Sequence, residues 1–197
     1  PTTRGYKAVA VDYAIVWNND MRDELIDFQD IAKKNIYVGG SASYDIYFDK
    51  IKNKNVLSKE LFCKKYSLDP NKKIIFLAPG GQTLWPDGLL ILEGILQKIK
   101  ANEFSMDSQV ILRVHPNYLQ NTLQYKNFKK DDMDLDFLKE EFKVIIQKLL
   151  NDYGEILSLS IPAFIPLNNN VDLPLDDLGT LSDIFINSDL MITQYST

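Results

Sequence analysis

Short apolar runs alternate along the chain with longer stretches that have helical spacing. Residues 73–78 and 109–114 are unalternated apolar runs, the pattern of strands buried on both faces. Apolar residues recur at helical spacing over 135–150 and from Asp87 onward, so both stretches predict amphipathic helices. The other predicted elements are strands at 13–17, 35–38, 156–159 and 190–193 and helices at 21–28, 58–66 and 173–187. This order predicts an α/β fold with a Rossmann-like, doubly wound parallel sheet.

Polar residues set the expected ends of these elements. Asp20 and Ser58 are the predicted N-caps of two helices. Asp45 and Asp49 are read as solvated carboxylates in a linker, and the proline-rich stretch 164–177 is read as an irregular loop. Ligands of doubly wound sheets bind beyond the carboxyl ends of the strands. That rule selects four loops, at 39–43, 79–83, 115–118 and 194–197.

Composition and charge exclude several classes of function. The net charge is −5 and the pI is about 4.9, so the chain lacks the basic surface of a nucleic-acid binder. Cys63 is the only cysteine, which excludes an internal disulfide and a zinc site built on cysteine pairs, and it is expected to be a structural thiol. No signal peptide or membrane-length apolar run is present, so we expect a cytoplasmic protein.

Arg113 and His115 are the first candidates for chemistry. His115 is the only histidine, and strand alternation puts it on the same face as Arg113 where the strand ends. A cation and an imidazole at one strand end suit the binding of a diphosphate or the stabilisation of a phosphate leaving group. The alternative is a histidine that only hydrogen-bonds the backbone while Pro116 shapes the turn. The residues alone leave both interpretations open.

Glycine turns follow two of the predicted strands. Gly39-Gly40-Ser41 and Pro79-Gly80-Gly81 could let the backbone approach a phosphate closely, although any strand-to-helix turn can use glycine. Neither the GxGxxG fingerprint nor a P-loop is present. After the last strand, Ser196 and Thr197 could donate to a diphosphate or simply cap a following helix. No cofactor is expected, and no metal, because no carboxylate–histidine cluster has ligand spacing.

Together these segments resemble the GT-B glycosyltransferase superfamily, and within it the bacterial CDP-glycerol glycerophosphotransferases and surface-polysaccharide transferases, relatives of the UDP-N-acetylglucosamine 2-epimerases. The resemblance runs from about residue 12 to residue 197. Its donor-side motifs are Arg-x-His-Pro and a Ser-Asp…Ile-Thr-x-x-Ser-Thr segment. Here they correspond to Arg113, His115, Pro116, Ser188, Asp189, Ile192, Thr193, Ser196 and Thr197.

The resemblance also implies a domain organisation. A Gly-Ser-x-x-x-Asp-like segment marks the crossing between the two Rossmann-like domains of the family, and here it is Gly40, Ser41 and Asp45. Residues 1–45 would then end an N-terminal domain, which in the family holds acceptor residues and often the catalytic base. Residues 46–197 would form the C-terminal, donor-binding half, truncated at its C-terminus because the strand at 190–193 lacks the helix that should cover it.

The implied function is transfer of a sugar or of glycerol phosphate from a nucleotide-activated donor to an acceptor hydroxyl in surface-polysaccharide biosynthesis. The expected partners are a nucleotide-sugar or CDP-glycerol-like donor and a polysaccharide or lipid-linked acceptor, with peripheral association at the inner face of the membrane. His115 and Arg113 would be catalytic, and Gly80, Gly81, Ser196 and Thr197 would bind the donor phosphates. Two alternatives stay open: a UDP-sugar 2-epimerase of the same fold, and a non-catalytic nucleotide-binding or assembly module.

Overall fold

A computed structural model describes residues 11–53, 55–81, 87–119, 135–136, 138–162, 165–167, 170–172 and 175–193. The chain divides into two compact units, Pro1–Asp49 and Lys50–Thr197. The crossing between two GT-B domains near residue 45 stays a prediction.

The first unit contains a pair of parallel strands and one helix packed on them. Its elements are β1 (Ala14–Val16), α1 (Asn19–Gln29), β2 (Ile36–Val38) and a 3-10 turn at Ala42–Tyr44. β1 and β2 pair in parallel with Ala14 opposite Ile36. The N-cap of α1 is Asn18, whose Oδ1 accepts the backbone N–H of Met21 at 2.8 Å, and the prediction of Asp20 was wrong. Asp20 lies inside the first turn, where its negative charge interacts favourably with the helix dipole.

A helix that the sequence did not predict follows this turn. α2 (Asp45–Lys52) covers the stretch that was expected to be a linker. Its Asp45 lies in the first turn and its lysines lie in the last, an arrangement that the helix dipole favours. α2 buries none of its side chains, although it carries apolar residues such as Phe48 and Ile51, which are exposed.

The second unit is built on a four-stranded parallel sheet. Its further elements in chain order are α3 (Lys59–Tyr66), β3 (Lys73–Ala78), α4 (Gly88–Lys100), β4 (Ser108–Arg113), α5 (Glu140–Tyr153), β5 (Leu157–Ser160), β6 (Ile165–Leu167), β7 (Asn170–Asp172), α6 (Leu175–Asn187) and β8 (Leu190–Thr193). The strand order is β5-β4-β3-β8, and every neighbouring pair is parallel. β3 and β4 are therefore central.

Helices cover both faces of this sheet. Alternate residues of β3 and β4, such as Leu77 and Leu112, pack with α4 and α5 in the larger core. The residues between them, such as Phe76 and Ile111, pack on the other face with side chains of α3 and α6. Burial on both faces explains the unalternated apolar runs. The predicted α/β fold with a Rossmann-like parallel sheet is confirmed.

Two later segments differ markedly from their predictions. α5 begins at Glu140 instead of residue 135, because the segment before it pairs with residues 118–119: Leu138 bridges Leu119, and the N–H of Lys139 donates to the carbonyl of Tyr118. The expected loop at 164–177 contains the antiparallel pair β6–β7 and the start of α6. These strands are three residues long and include Pro166, so their sequence lacks the usual alternation.

Within the described residues, α1 to α6 include no helix that is both long and apolar enough to cross a membrane. Cys63 is buried in the core between the sheet and α3, and burial raises the pKa of its thiol.

Candidate functional site

The carboxyl ends of β3 and β4 bring two of the predicted loops together. Gly80 and Gly81 are buried just after β3, and His115 follows the end of the neighbouring β4. A methyl group added at Gly81 would lie 2.9 Å from Nδ2 of Asn117 and 3.3 Å from Cε1 of His115. The absence of a side chain at Gly81 thus lets the glycine turn lie directly against the imidazole ring.

The ring of His115 is held in one orientation by the turn that follows it. His115 is half-buried, and its Nδ1 accepts the backbone N–H of Asn117 at 3.1 Å. Pro116 occupies the first position of the 3-10 turn Pro116–Tyr118, where its missing N–H costs nothing. Because Nδ1 is an acceptor, the neutral imidazole carries its hydrogen on Nε2. Burial also lowers the pKa of His115, so this neutral form with an Nε2–H donor is favoured near neutral pH.

Tyr118 anchors the same turn to the core, a role that the sequence analysis did not assign to it. Its side chain is buried, and its ring stacks on Phe142 of α5 with centroids 4.1 Å apart. The Tyr118 ring also lies 6.1 Å from the ring of His115. Burial raises the pKa of the Tyr118 phenol, so it remains uncharged. The imidazole therefore lies beside an aromatic ring that is itself fixed in the core.

Arg113 has partners within the protein. It is only 7% exposed, and its Nη2 donates to both carboxylate oxygens of Asp177 at 2.5 Å. Its Nη1 donates to Oγ of Ser160 at 2.8 Å. Asp177 is 2% exposed, so the ion pair is shielded from solvent. The positive charge of Arg113 is thus neutralised by the Asp177 carboxylate. The catalytic role of Arg113 stays a prediction.

Asp177, Ser160 and Tyr66 extend this buried polar network, and sequence reasoning missed all three. The Tyr66 side chain hydrogen-bonds Ser160, and burial is the main cause that raises the pKa of its phenol. The hydroxyl of Ser158 donates to the Tyr66 carbonyl at 2.6 Å. The serines at alternate positions of β5 were a signal for a polar face. Asp177, close to a predicted helix start, looked no different from a solvated residue.

The residues predicted to mark the domain crossing lie in the first unit. Gly40 has φ = 73°, in the left-handed region that favours glycine. Ser41 precedes the 3-10 turn without capping it through its side chain, and the N–H of Asp45 donates to the carbonyl of Ala42 as α2 begins. Gly40 and Asp45 are exposed and Ser41 is half-buried. Their interdomain role stays a prediction.

Two predicted donor ligands cannot be placed. Ser196 and Thr197 lie outside the described residues. In the part of the chain that the structure describes, no group of three or more His, Cys, Asp or Glu side chains is arranged to hold a metal ion.

Two structures of one polymerase are among the solved structures that the chain matches. The chain is 17% identical to the wall teichoic acid polymerase TagF, with a TM-score of 0.47, over 94% of this chain and 35% of that chain. A variant of TagF gives 16% identity and a TM-score of 0.48 over the same shares. The chain thus spans about a third of the polymerase's length. No protein-family model matches the sequence, and no curated protein matches it.

Proposed function

We propose that this chain forms the donor side of a GT-B-type transferase. In this proposal a nucleotide-activated sugar, or CDP-glycerol-like donor, binds beyond the carboxyl ends of β3 and β4, and its group moves to an acceptor hydroxyl. The acceptor is a polysaccharide or a lipid-linked chain, and the reaction serves surface-polysaccharide synthesis at the inner face of the membrane. The motifs at Arg113, His115 and Pro116 and at Ser188 to Thr197 support the choice of superfamily.

One observation carries the proposal: a glycine turn and the ring of a half-buried histidine lie side by side at the ends of two central parallel strands. Doubly wound sheets bind ligands at this edge. Backbone N–H groups after β3 and an imidazole N–H after β4 are hydrogen-bond donors, which suit the oxygens of a diphosphate. Gly80 and Gly81 place no side chain between the backbone and such a ligand.

The proposed reaction is a group transfer in which one bond forms and one breaks. The acceptor oxygen bonds to the anomeric carbon of the sugar, or to the phosphorus of glycerol phosphate. The bond to the oxygen of the leaving nucleotide breaks, and its electron pair stays on that oxygen. His115 donates its Nε2–H to this developing charge. The proton of the acceptor hydroxyl passes to a base, which the resemblance assigns to the N-terminal domain.

The other predicted residues have secondary roles in the proposal. Arg113 is proposed to support the donor side indirectly, by holding its structure and not by binding the donor, because its guanidinium is already bound to Asp177 and Ser160. Ser196 and Thr197 are proposed to donate to the same diphosphate, on the basis of their motif. No cofactor takes part.

A melting experiment tests the donor site. The wild-type protein, His115→Ala and the control Asn151→Ala are melted with UDP, CDP, GDP, CMP and their sugar or glycerol conjugates. Asn151 is exposed near the end of α5 that leads into β5. It therefore lies towards the amino ends of the strands, away from the proposed donor site at their carboxyl ends. A nucleotide at about a hundred times its dissociation constant adds about 2.7 kcal/mol to the free energy of unfolding. We expect a shift selective for one base, retained by the control and lost in His115→Ala.

Other outcomes would contradict the donor site or favour one of the alternative functions. No shift with any nucleotide, or an equal shift in His115→Ala, contradicts the proposed donor site. Conversion of a free sugar nucleotide without acceptor would instead indicate a 2-epimerase. Nucleotide binding without transfer by a chain that includes the N-terminal domain, with a function insensitive to His115→Ala, would indicate the non-catalytic module.

A further inference from the structure

We propose that Asp177 is a positioning residue of this site: it holds Arg113, and through Arg113 it fixes the end of β4 from which His115 projects. The inference rests on the proposed function for its meaning, but its geometry concerns this chain alone. Asp177 lies early in α6, and Arg113 is the last residue of β4. The pair therefore joins a helix to the strand end that carries the site.

The side chain of Arg113 ties three elements together. Its guanidinium donates to Asp177 of α6 and to Ser160, the last residue of β5. Ser160 in turn hydrogen-bonds the side chain of Tyr66, the last residue of α3. Every side chain in this set is at least nine-tenths buried. Solvent cannot replace these bonds without opening the layer between the sheet and its helices.

The backbone carries this restraint from Arg113 to His115. The N–H of Val114 donates to the carbonyl of Ser160 at 3.0 Å, and the Val114 side chain is fully buried on the other face of the sheet. Arg113 is thus held on one face and Val114 on the other. The next residue is His115, whose Nδ1 then meets the N–H of Asn117. A shift of the strand end would move the ring away from this N–H and from Gly81.

A charged pair that only stabilises the fold and one that positions the site predict different results. Replacing a buried ion pair by apolar residues of similar volume leaves stability nearly unchanged or improves it, whereas removing one partner leaves a buried charge unpaired. The double variant Arg113→Met/Asp177→Leu is the first kind of change, so it is expected to fold. Asp177→Asn, which keeps the shape of the side chain, is measured beside it.

The readout is the nuclear magnetic resonance signal of His115, which is unambiguous because the chain has one histidine. With ¹⁵N-labelled histidine, the wild type should show a single Nε2–H tautomer. In the folded double variant and in Asp177→Asn, we expect a mixture of the Nε2–H and Nδ1–H tautomers. The control Lys50→Met removes a different salt bridge to α6, between Lys50 and Asp183, and should leave the signal unchanged.

Wild-type His115 signals in the folded double variant would overturn the inference, because a merely structural pair predicts that result. Melting shifts with CDP and UDP, measured on the same samples, should also fall in the double variant. If the wild type itself binds no nucleotide, the proposed function fails. The His115 signal then still decides whether Asp177 positions the ring.

Discussion

Gly81 shows how one residue without a side chain can determine the shape of a site. Among the described residues, Gly40 is the glycine with a positive φ, so the requirement at Gly81 is space and not backbone conformation. The nearest atoms to an added methyl group belong to Asn117 and His115. The Asn117 side chain is exposed and can rotate away, whereas the His115 ring must shift by a few tenths of an ångström.

Gly81→Ala should therefore weaken nucleotide binding while changing stability little. We expect the free energy of unfolding to fall by less than about 1 kcal/mol, at the lower end of overpacking effects, and the nucleotide-dependent melting shift to be largely lost. Gly94→Ala is the matched control, because Gly94 lies inside α4 with nothing within 4 Å of an added methyl group. That change should stabilise the protein by about 0.5–1 kcal/mol and leave binding intact. Equal nucleotide shifts in both variants would contradict the close approach at Gly81.

The protonation of His115 gives a pH dependence whose sign follows from its surroundings. Burial holds the pKa of His115 below 6.5, and protonation of Nδ1 would also break its bond to Asn117. As the pH falls below 6.5, the unfolded chain takes up a proton that the folded protein resists, so stability decreases. The decrease ends below the pKa of the folded state.

Denaturant unfolding of wild type and His115→Gln over a series of pH values measures this contribution, since other groups titrate equally in both. We expect the stability of the wild type relative to that of His115→Gln to decrease as the pH falls from above 6.5. A ¹⁵N titration of the single histidine gives its pKa directly. A midpoint at or above 6.5 would contradict the buried acceptor at Nδ1.

At the scale of elements, the sequence predicts those that are buried on both faces. β3 has the predicted boundaries because its unalternated apolar run is buried on both faces, and β8 has them although three of its four residues are exposed. The start of α5 was misplaced because Leu135 and Leu138 have helical spacing, while their segment makes backbone bonds to residues 118–119. Such long-range pairing leaves no periodic signal in a single sequence.

The candidate site was predictable in part for the same reason. His115 and Gly81 each follow a recognisable strand, and the rule of strand ends brought both to one edge of the sheet. Their direct contact depends on β3 and β4 being neighbours, which the sequence pattern does not give. Asp177 is 64 positions from Arg113, and nothing in its local sequence marks it as the partner of a buried arginine.

The two units of the molecule differ greatly in how much they bury. In the described part of the first unit, the buried apolar cluster consists of Val16, Ile31 and Ile36, and α1 buries none of its residues. On β1, Ile15 is 78% exposed. The second unit has two cores that enclose its sheet from both faces. A two-stranded sheet with so small a core has little to oppose local opening.

Hydrogen exchange should therefore separate the units. We expect amides of β1 and β2 to exchange with low protection, close to that of helix ends and loops, because opening these three-residue strands exposes few buried groups. Amides of β3 and β4 should exchange only through opening of the whole second unit, since their side chains lie in both cores. Mass spectrometry of peptides covering 14–38, 73–78 and 108–113 makes the comparison within one sample. Equal protection of β1 and β3 would contradict this expectation, because the first unit would then be stabilised by more than its own described core. Bound nucleotide should slow exchange at 108–113 far more than at 14–38.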